Sequence, residues 1–153
     1  MPVYSPSFAS FANPANFLVY RNAAQNSGSA AFAIVNFDTK FYDTGNNVDT
    51  VTNVGRFTPP YTGWYHLDAS VGSSAAISSD AIVSVFKAGA EYARGNRNKL
   101  ASNLDSISVS ITLKLTATTD YIEINCFGNP QFALGVGSGP IATYFSGFLL
   151  ATA

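Results

Sequence analysis

His66 is the only histidine in the chain, and Asp68 follows it by two residues. On a strand that spacing puts imidazole and carboxylate on one face, which is the pairing a nucleophile triad needs beside a serine or Cys126. No Gly-x-Ser-x-Gly elbow accompanies the pair, so catalysis is not expected, and His66 reads as a surface or interface histidine. Asp38, Asp43 and Asp49 fall in one loop-rich stretch with Asn46 and Asn47. Oxygen ligands so grouped are the type that holds calcium, although Asx turns in a long loop are the ordinary reading and no cofactor is expected. The run Arg94-Gly-Asn-Arg-Asn-Lys99 gathers much of the positive charge. It reads as a solvated loop that, shown several times by an oligomer, would grip an anionic glycan, a phosphate or an acidic protein surface. Cys126 is the single cysteine, which excludes an intrachain disulfide and suits a small buried hydrophobe.

The elements that must position these residues are strands. Short apolar runs alternate with Gly, Asn, Ser, Thr and Asp clusters, and helical periodicity is nearly absent. In Ile107-Ser-Val-Ser-Ile-Thr-Leu-Lys-Leu115 every second residue is apolar, as a half-buried strand requires. Residues 63–71, 81–87 and 121–127 read as further strands, with shorter ones at 17–20, 31–37 and 56–58, the last stopped by Pro59-Pro60. The closing run Thr143-Tyr-Phe-Ser-Gly-Phe-Leu-Leu150 is dense enough to predict an interior strand. Turn chemistry falls at 44–47, 88–89, 128–130 and 135–140. Eight or more short strands in 153 residues predict an all-β sandwich, with a jelly roll as the leading topology.

Charged residues make up only 11% of the chain and apolar ones 47%. The charge is less than half of the ~25% usual in a soluble domain, so surface buried between copies is expected. A net charge of −1 argues against nucleic acid or an anionic membrane as partner. The start, Met1-Pro-Val-Tyr-Ser-Pro-Ser-Phe8, has no basic residue and no continuous apolar core. A secretion signal is therefore not expected, nor is a membrane span. Residues 1–16 string Tyr4, Phe8 and Phe11 through Pro, Ser, Ala and Asn, too aromatic for a free linker. They are read as an arm that packs on its own oligomer or docks on another protein, with residues 17–153 as the domain.

Three blocks together carry a family resemblance: Phe37-Asp-Thr-Lys-Phe-Tyr-Asp43, Gly55-Arg-Phe-Thr-Pro-Pro-Tyr-Thr-Gly-Trp-Tyr65, and Tyr144-Phe-Ser-Gly-Phe-Leu-Leu150. In this order they resemble the complement C-one-q globular head, a branch of the tumour necrosis factor-like jelly rolls. The resemblance implies a ten-stranded antiparallel jelly-roll sandwich that assembles as a homotrimer, and a function of binding rather than catalysis. It makes Phe57, Tyr65, Phe145, Phe148 and Leu150 candidates for the trimer interface or core. Unlike the family's usual members, the sequence shows no Gly-X-Y repeat, and a secretion signal is not expected. A trimer made in a host cytoplasm and carried on a virus particle fits those departures. The expected role is a capsid decoration or cement protein at the virion surface, held on a major capsid or other virion protein by Tyr4, Phe8 and Phe11. The alternative is a trimeric head, a tail-fibre tip or lectin-like protein, binding a receptor or surface glycan through loops around Asn46, Arg94, Arg97, Lys99 and Asn129.

Overall fold

The structure, a computed structural model, describes residues 13–74, 79–100, 105–137 and 139–153. Among these residues every regular element is a strand. In chain order they are β1 (Asn16–Tyr20), β2 (Gly28–Ser29), β3 (Phe32–Ile34), β4 (Thr39–Asp43), β5 (Val48–Asp49), β6 (Arg56–Phe57), β7 (Gly63–Gly72), β8 (Ser79–Lys87), β9 (Ala90–Leu100), β10 (Ser106–Leu115), β11 (Ile122–Asn129) and β12 (Tyr144–Thr152). The expected ten strands appear as twelve segments, of which β2, β3, β5 and β6 are fragments of two or three residues. The strand expected over 31–37 shrinks to β3, though Val35 N–H still donates to Ile124 O at 2.8 Å.

Two sheets face each other. One runs β10-β7-β12-β1-β4, all antiparallel. The other runs β5-β6-β11-β8-β9, with β2 added in parallel to β11. The closing strand β12 is interior, paired with β1 on one side and β7 on the other, which accounts for its apolar density. Alternation then builds the core. Tyr65, Leu67, Ala69 and Val71 of β7 and Ile107, Val109 and Leu113 of β10 point inward to meet Val83, Val85, Ile122 and Ile124 from the second sheet. Phe17 ties the layers together, stacked on Phe57 at 4.7 Å and edge-on to Phe145 at 4.9 Å.

Residues 94–99, read from sequence as a loop, lie in β9, which ends its sheet. Ala88 (φ 50°) and Gly89 (φ 82°) turn the chain with both φ values positive, the geometry of a tight two-residue hairpin, and β9 zips back along β8. Its polar composition hid it, because an end strand carries Lys and Arg as protection against edge pairing.

The strand registers also give the sandwich two distinct ends. Asn16, Gly63, Leu115 and Thr152 meet at one, together with the turns at 44–47, 88–89 and 116–120. The connections leaving Tyr20 and Asn129 lie at the other, where Leu134 N–H donates to Gln25 O at 2.9 Å and Gly135 N–H to Gly72 O at 2.7 Å. The chain enters at the first end. There Asn13 Nδ2 donates to Leu149 O at 2.9 Å, and Asn47 Nδ2 donates to Pro14 O at 2.9 Å. Ala15 is fully buried, so residues 13–16, read from sequence as part of the arm, are knitted into the domain.

Candidate functional site

The two sheets differ in how their outer faces are finished. On the second sheet the chain covers its own face. Phe32 packs on Phe86 at 5.5 Å and Phe127 at 5.8 Å, and the Arg94 guanidinium lies over Phe32 at 5.5 Å. Arg56 lies over Tyr121 at 4.0 Å and grips Glu123 at 2.8 Å. Ser84, Glu123 and Asn125 on this face are buried.

The first sheet is left open. Alternation sends Phe145 and Gly147 of β12 inward and Tyr144, Ser146 and Phe148 outward. By the same alternation Leu150 points outward and is 51% exposed, at a bulge between Leu149 and Ala151. Phe148 is 39% exposed and Trp64 of β7 is 47% exposed. Leu18 and Tyr20 of β1 are half-buried on the same face, and Tyr42 of β4 is exposed beside Leu18. An aromatic belt therefore runs from β4 through β1 and β12 to β7. Beyond it β10 shows only Ser106, Ser108, Ser110, Thr112 and Lys114 outward. Large apolar side chains grouped on one open sheet face mark a surface that another molecule covers.

His66 sits in the middle of this face. Its ring lies 5.4 Å from that of Phe148. Nδ1 is 3.1 Å from Thr112 Oγ1, and Nε2 is 2.9 Å from Asp68 Oδ2. Sequence reasoning paired His66 with Asp68 but missed Thr112, because that contact depends on the pairing of β7 with β10. Hydroxyl, imidazole and carboxylate are thus in line on a sheet face whose backbone N–H groups are committed to the ladder. Cys126 points into the core from the other sheet, and burial pushes its thiol up to about 12. It belongs to no such group.

The other expected site residues are dispersed. Phe57, Tyr65 and Phe145 are fully buried core residues, whereas Phe148 and Leu150 lie on the open face. Asp38 and Asp43 flank opposite ends of β4, and each carboxylate is already engaged. Asp38 pairs with Arg21 at 2.9 Å and accepts from the Asn22 and Ala23 N–H groups. Burial acts to raise the Asp43 carboxyl, but the Val48 and Asn47 N–H groups and Lys40 outweigh it and hold it low. Asp49 caps a turn by accepting from the N–H groups of Asn53, Val51 and Thr52, which brings it down to about 2. Of the three only Asp49 closes an Asx turn, and among the described residues no three His, Cys, Asp or Glu side chains converge as a metal site would need.

Arg94 is bound to Glu91 at 2.7 Å and Arg97 to Asp80, so two of the three cations expected to grip an anion are neutralised locally. Asn46 lies at the end where the chain enters, Asn129 at the opposite end and Arg94 between them, so the three do not form one surface. Tyr4, Phe8 and Phe11 lie outside the described residues.

This architecture has counterparts among solved structures. The globular domain of zebrafish complement 1qA protein superposes with a TM-score of 0.64 at 18% identity, over 91% of this chain and 99% of that one. Eiger TNF from S. frugiperda gives 0.63 at 12% identity, over 91% and 94%. PRD1 vertex protein P5 gives 0.62 at 8% identity, over 91% and 99%. At these identities the likeness shows the shared jelly roll. The chain matches none of the curated proteins at the sequence level. The sequence profile of the C1q domain does match, over residues 16–150, and with all but the ends of the chain inside that match, the protein belongs to the C1q domain family.

Proposed function

We propose that this chain is a homotrimeric structural protein of a virus particle, a capsid decoration protein whose jelly roll stands outward as a knob. Domains of the C1q and TNF type are in general binding or structural modules, and no chemistry is assigned to this one. The observation that carries self-association is the open aromatic face of the β10-β7-β12-β1-β4 sheet, beside a second sheet that covers itself. A second and third copy covering that face would also account for a chain with only 11% charge. The likeness to a viral vertex protein supports the particle setting. The arm leaves the domain at Asn13, on the rim of the open face next to Leu149. Three copies packed through that face therefore bring three arms to one end. Tyr4, Phe8 and Phe11 would dock there on a major capsid or other virion protein. Three modest contacts then add through effective concentration.

The test is solution mass by light scattering, followed by binding to particles, with the whole chain and with residues 1–12 removed. The truncation keeps Asn13 and Pro14, which bond to the domain. Expected are a trimer of about 49 kDa from three 16.2 kDa copies, and loss of particle binding without loss of the trimer. A monomer at working concentration would remove the assembly claim.

A second reading, a trimeric receptor- or glycan-binding head, draws on a cleft of about 430 Å³ between the edges of the two sheets, lined by Lys40, Asn46, Thr50, Val51, Thr58 and Pro60. Lys40 is held on Asp43 at 2.9 Å, and the Asp49 carboxylate that also lines the cleft accepts from three backbone N–H groups, so a hydroxyl-rich ligand suits it better than an anion. Sugar binding that survives removal of residues 1–12, with no particle attachment in either form, would favour this reading.

A further inference from the structure

We propose that self-association through the open sheet face is coupled to proton uptake by the His66–Asp68 pair, so that the oligomer is tighter at mildly acidic than at mildly basic pH; this rests on the self-association proposed above. The pair is the one ionic couple in the middle of an otherwise apolar and hydroxyl-bearing surface. Its side chains are 30% and 41% exposed in the single chain, so water still solvates both.

The groups that face it are known from every neighbouring strand. Across on β12 stand Phe148, opposite His66, and Ser146, opposite Asp68, with Tyr144 further along. Across on β10 stand Thr112 opposite His66 and Ser110 opposite Asp68, with Lys114 opposite Trp64. On β1 the outward residues are Asn16, Leu18 and Tyr20, and on β4 Tyr42 lies opposite Leu18. Lys114 is the only other side chain among these that carries charge near neutral pH. It lies in register with Trp64, four residues of β7 away from Asp68. No other cation on this face stands in for an imidazolium.

The sign follows from desolvation. When a second copy covers the face, the water around Asp68 is removed, and a lone buried carboxylate is costly. With His66 protonated the couple is neutral as a whole, and the ammonium-like Nε2–H is already 2.9 Å from Asp68 Oδ2. With His66 neutral, one uncompensated negative charge per copy is buried. Closing the face therefore favours the protonated imidazole and takes up protons. Histidine changes charge between about pH 5 and 8, which sets the window in which assembly responds. The extra stabilisation is fully present at the acidic side of that window and lost as pH rises through it. Thr112 fixes the ring through Nδ1 in either state, by donating its hydroxyl hydrogen or accepting one, so the imidazole does not need to turn.

The experiment is sedimentation of the full chain over a dilution series at about pH 5.5 and about pH 8.5, with circular dichroism at both to confirm that the strands persist. At least about a tenfold tighter assembly at the acidic pH is expected, since each proton taken up changes the constant by up to about tenfold per pH unit. Two variants separate the causes. Asp68→Asn removes the buried carboxylate, so assembly at basic pH should rise to near the acidic level of the parent, and the acid preference should vanish or reverse, because a lone imidazolium is then costly to bury. His66→Gln cannot be charged and should stay near the weaker, basic level at both. Equal assembly of the parent at the two pH values, or an Asp68→Asn variant that keeps the parent's pH response, overturns the coupling while leaving self-association standing. Absence of any oligomer at either pH overturns both.

Discussion

At the scale of single residues, Gly147 is the tightest position on β12. A Cβ there would lie 2.5 Å from Leu67 Cδ2 and 2.9 Å from the Phe17 ring, in the middle of the aromatic cluster that joins the sheets. Gly147→Ala is expected to cost about 1–3 kcal/mol, read as a lower denaturation midpoint with unchanged slope. Asp49 makes a different argument. Three backbone N–H groups bring its carboxyl from the ordinary 3.8 to about 2 in the folded chain. A lowered folded value means stabilisation present above the ordinary value and lost as pH falls towards about 2. Asp38 and Asp43 are shifted the same way. Acid unfolding should therefore begin below about pH 4. Asp49→Asn should flatten that acid limb in a melting-temperature series, whereas stability near neutral pH should fall.

At the scale of elements, the hairpin between β8 and β9 depends on Ala88 holding φ 50°, a conformation disfavoured for a residue with a Cβ. Asn-Gly suits such a turn better than Ala-Gly. Ala88→Asn should raise stability by about 0.5–1 kcal/mol, measurable as a higher melting temperature. The hairpin also shows why the charge of residues 94–99 reads as a loop in sequence. Arg94 and Arg97 are carried by an end strand whose pairing is set by the turn and by β8; Asp80 reaches Arg97 across that pairing, whereas Glu91 holds Arg94 from three residues earlier on β9 itself. The open face of β12 and β7 yields a sharper prediction. Phe148 and Leu150 are 39% and 51% exposed and face away from the core of the single chain, so Phe148→Asp with Leu150→Asp should leave the strand content unchanged. The same pair of changes should convert the oligomer to a monomer by light scattering. Unfolding instead would mean that these side chains hold the domain itself.

At the scale of the whole molecule, charge and apolar surface are segregated. Ion pairs Arg56–Glu123, Lys87–Asp120, Arg94–Glu91 and Arg97–Asp80 belong to the second sheet and its turns, Arg21–Asp38 and Lys40–Asp43 to the rim of the first beside β4, whereas the open face carries aromatics, hydroxyls, Lys114 and the His66–Asp68 couple. Association through such a face is driven by apolar burial, which salt does not screen. At acidic pH, raising the salt from about 0.05 M to about 1 M should leave the oligomer intact. Dissociation at high salt would point instead to the charged sheet as the contact. The entry of the chain and its last strand lie at one end, and the connections leaving Tyr20 and Asn129 lie at the other. A particle bound through the arms would therefore see one end of the knob, and anything arriving from outside would meet the other.

The sequence alone determined the class and most of the strands. A period of two in 107–115 and 63–71, the dense closing run and Pro59-Pro60 are local patterns, and a strand's side chains alternate whatever it pairs with. The three family blocks settled topology for the same reason: they sit where the backbone needs those residue types. Tertiary structure decided what depends on pairing and on layer. Phe57, Tyr65, Phe145, Phe148 and Leu150 look alike as aromatic and aliphatic residues in strands. Only the stacking of two sheets buries the first three, and Phe148 and Leu150 lie on the face of β12 that the second sheet does not cover. Thr112 joins His66 because β10 lies beside β7, 46 residues along the chain. The three aspartates look like a cluster in sequence, yet β4 separates Asp38 from Asp43, and their oxygens are engaged by different partners, Asp38 by Arg21 and the Asn22 and Ala23 N–H groups, Asp43 and Asp49 by N–H groups of the loops that follow them. A strand fixes which side chains share a face, but which face meets water, core or another copy is settled only when the sheets close on each other.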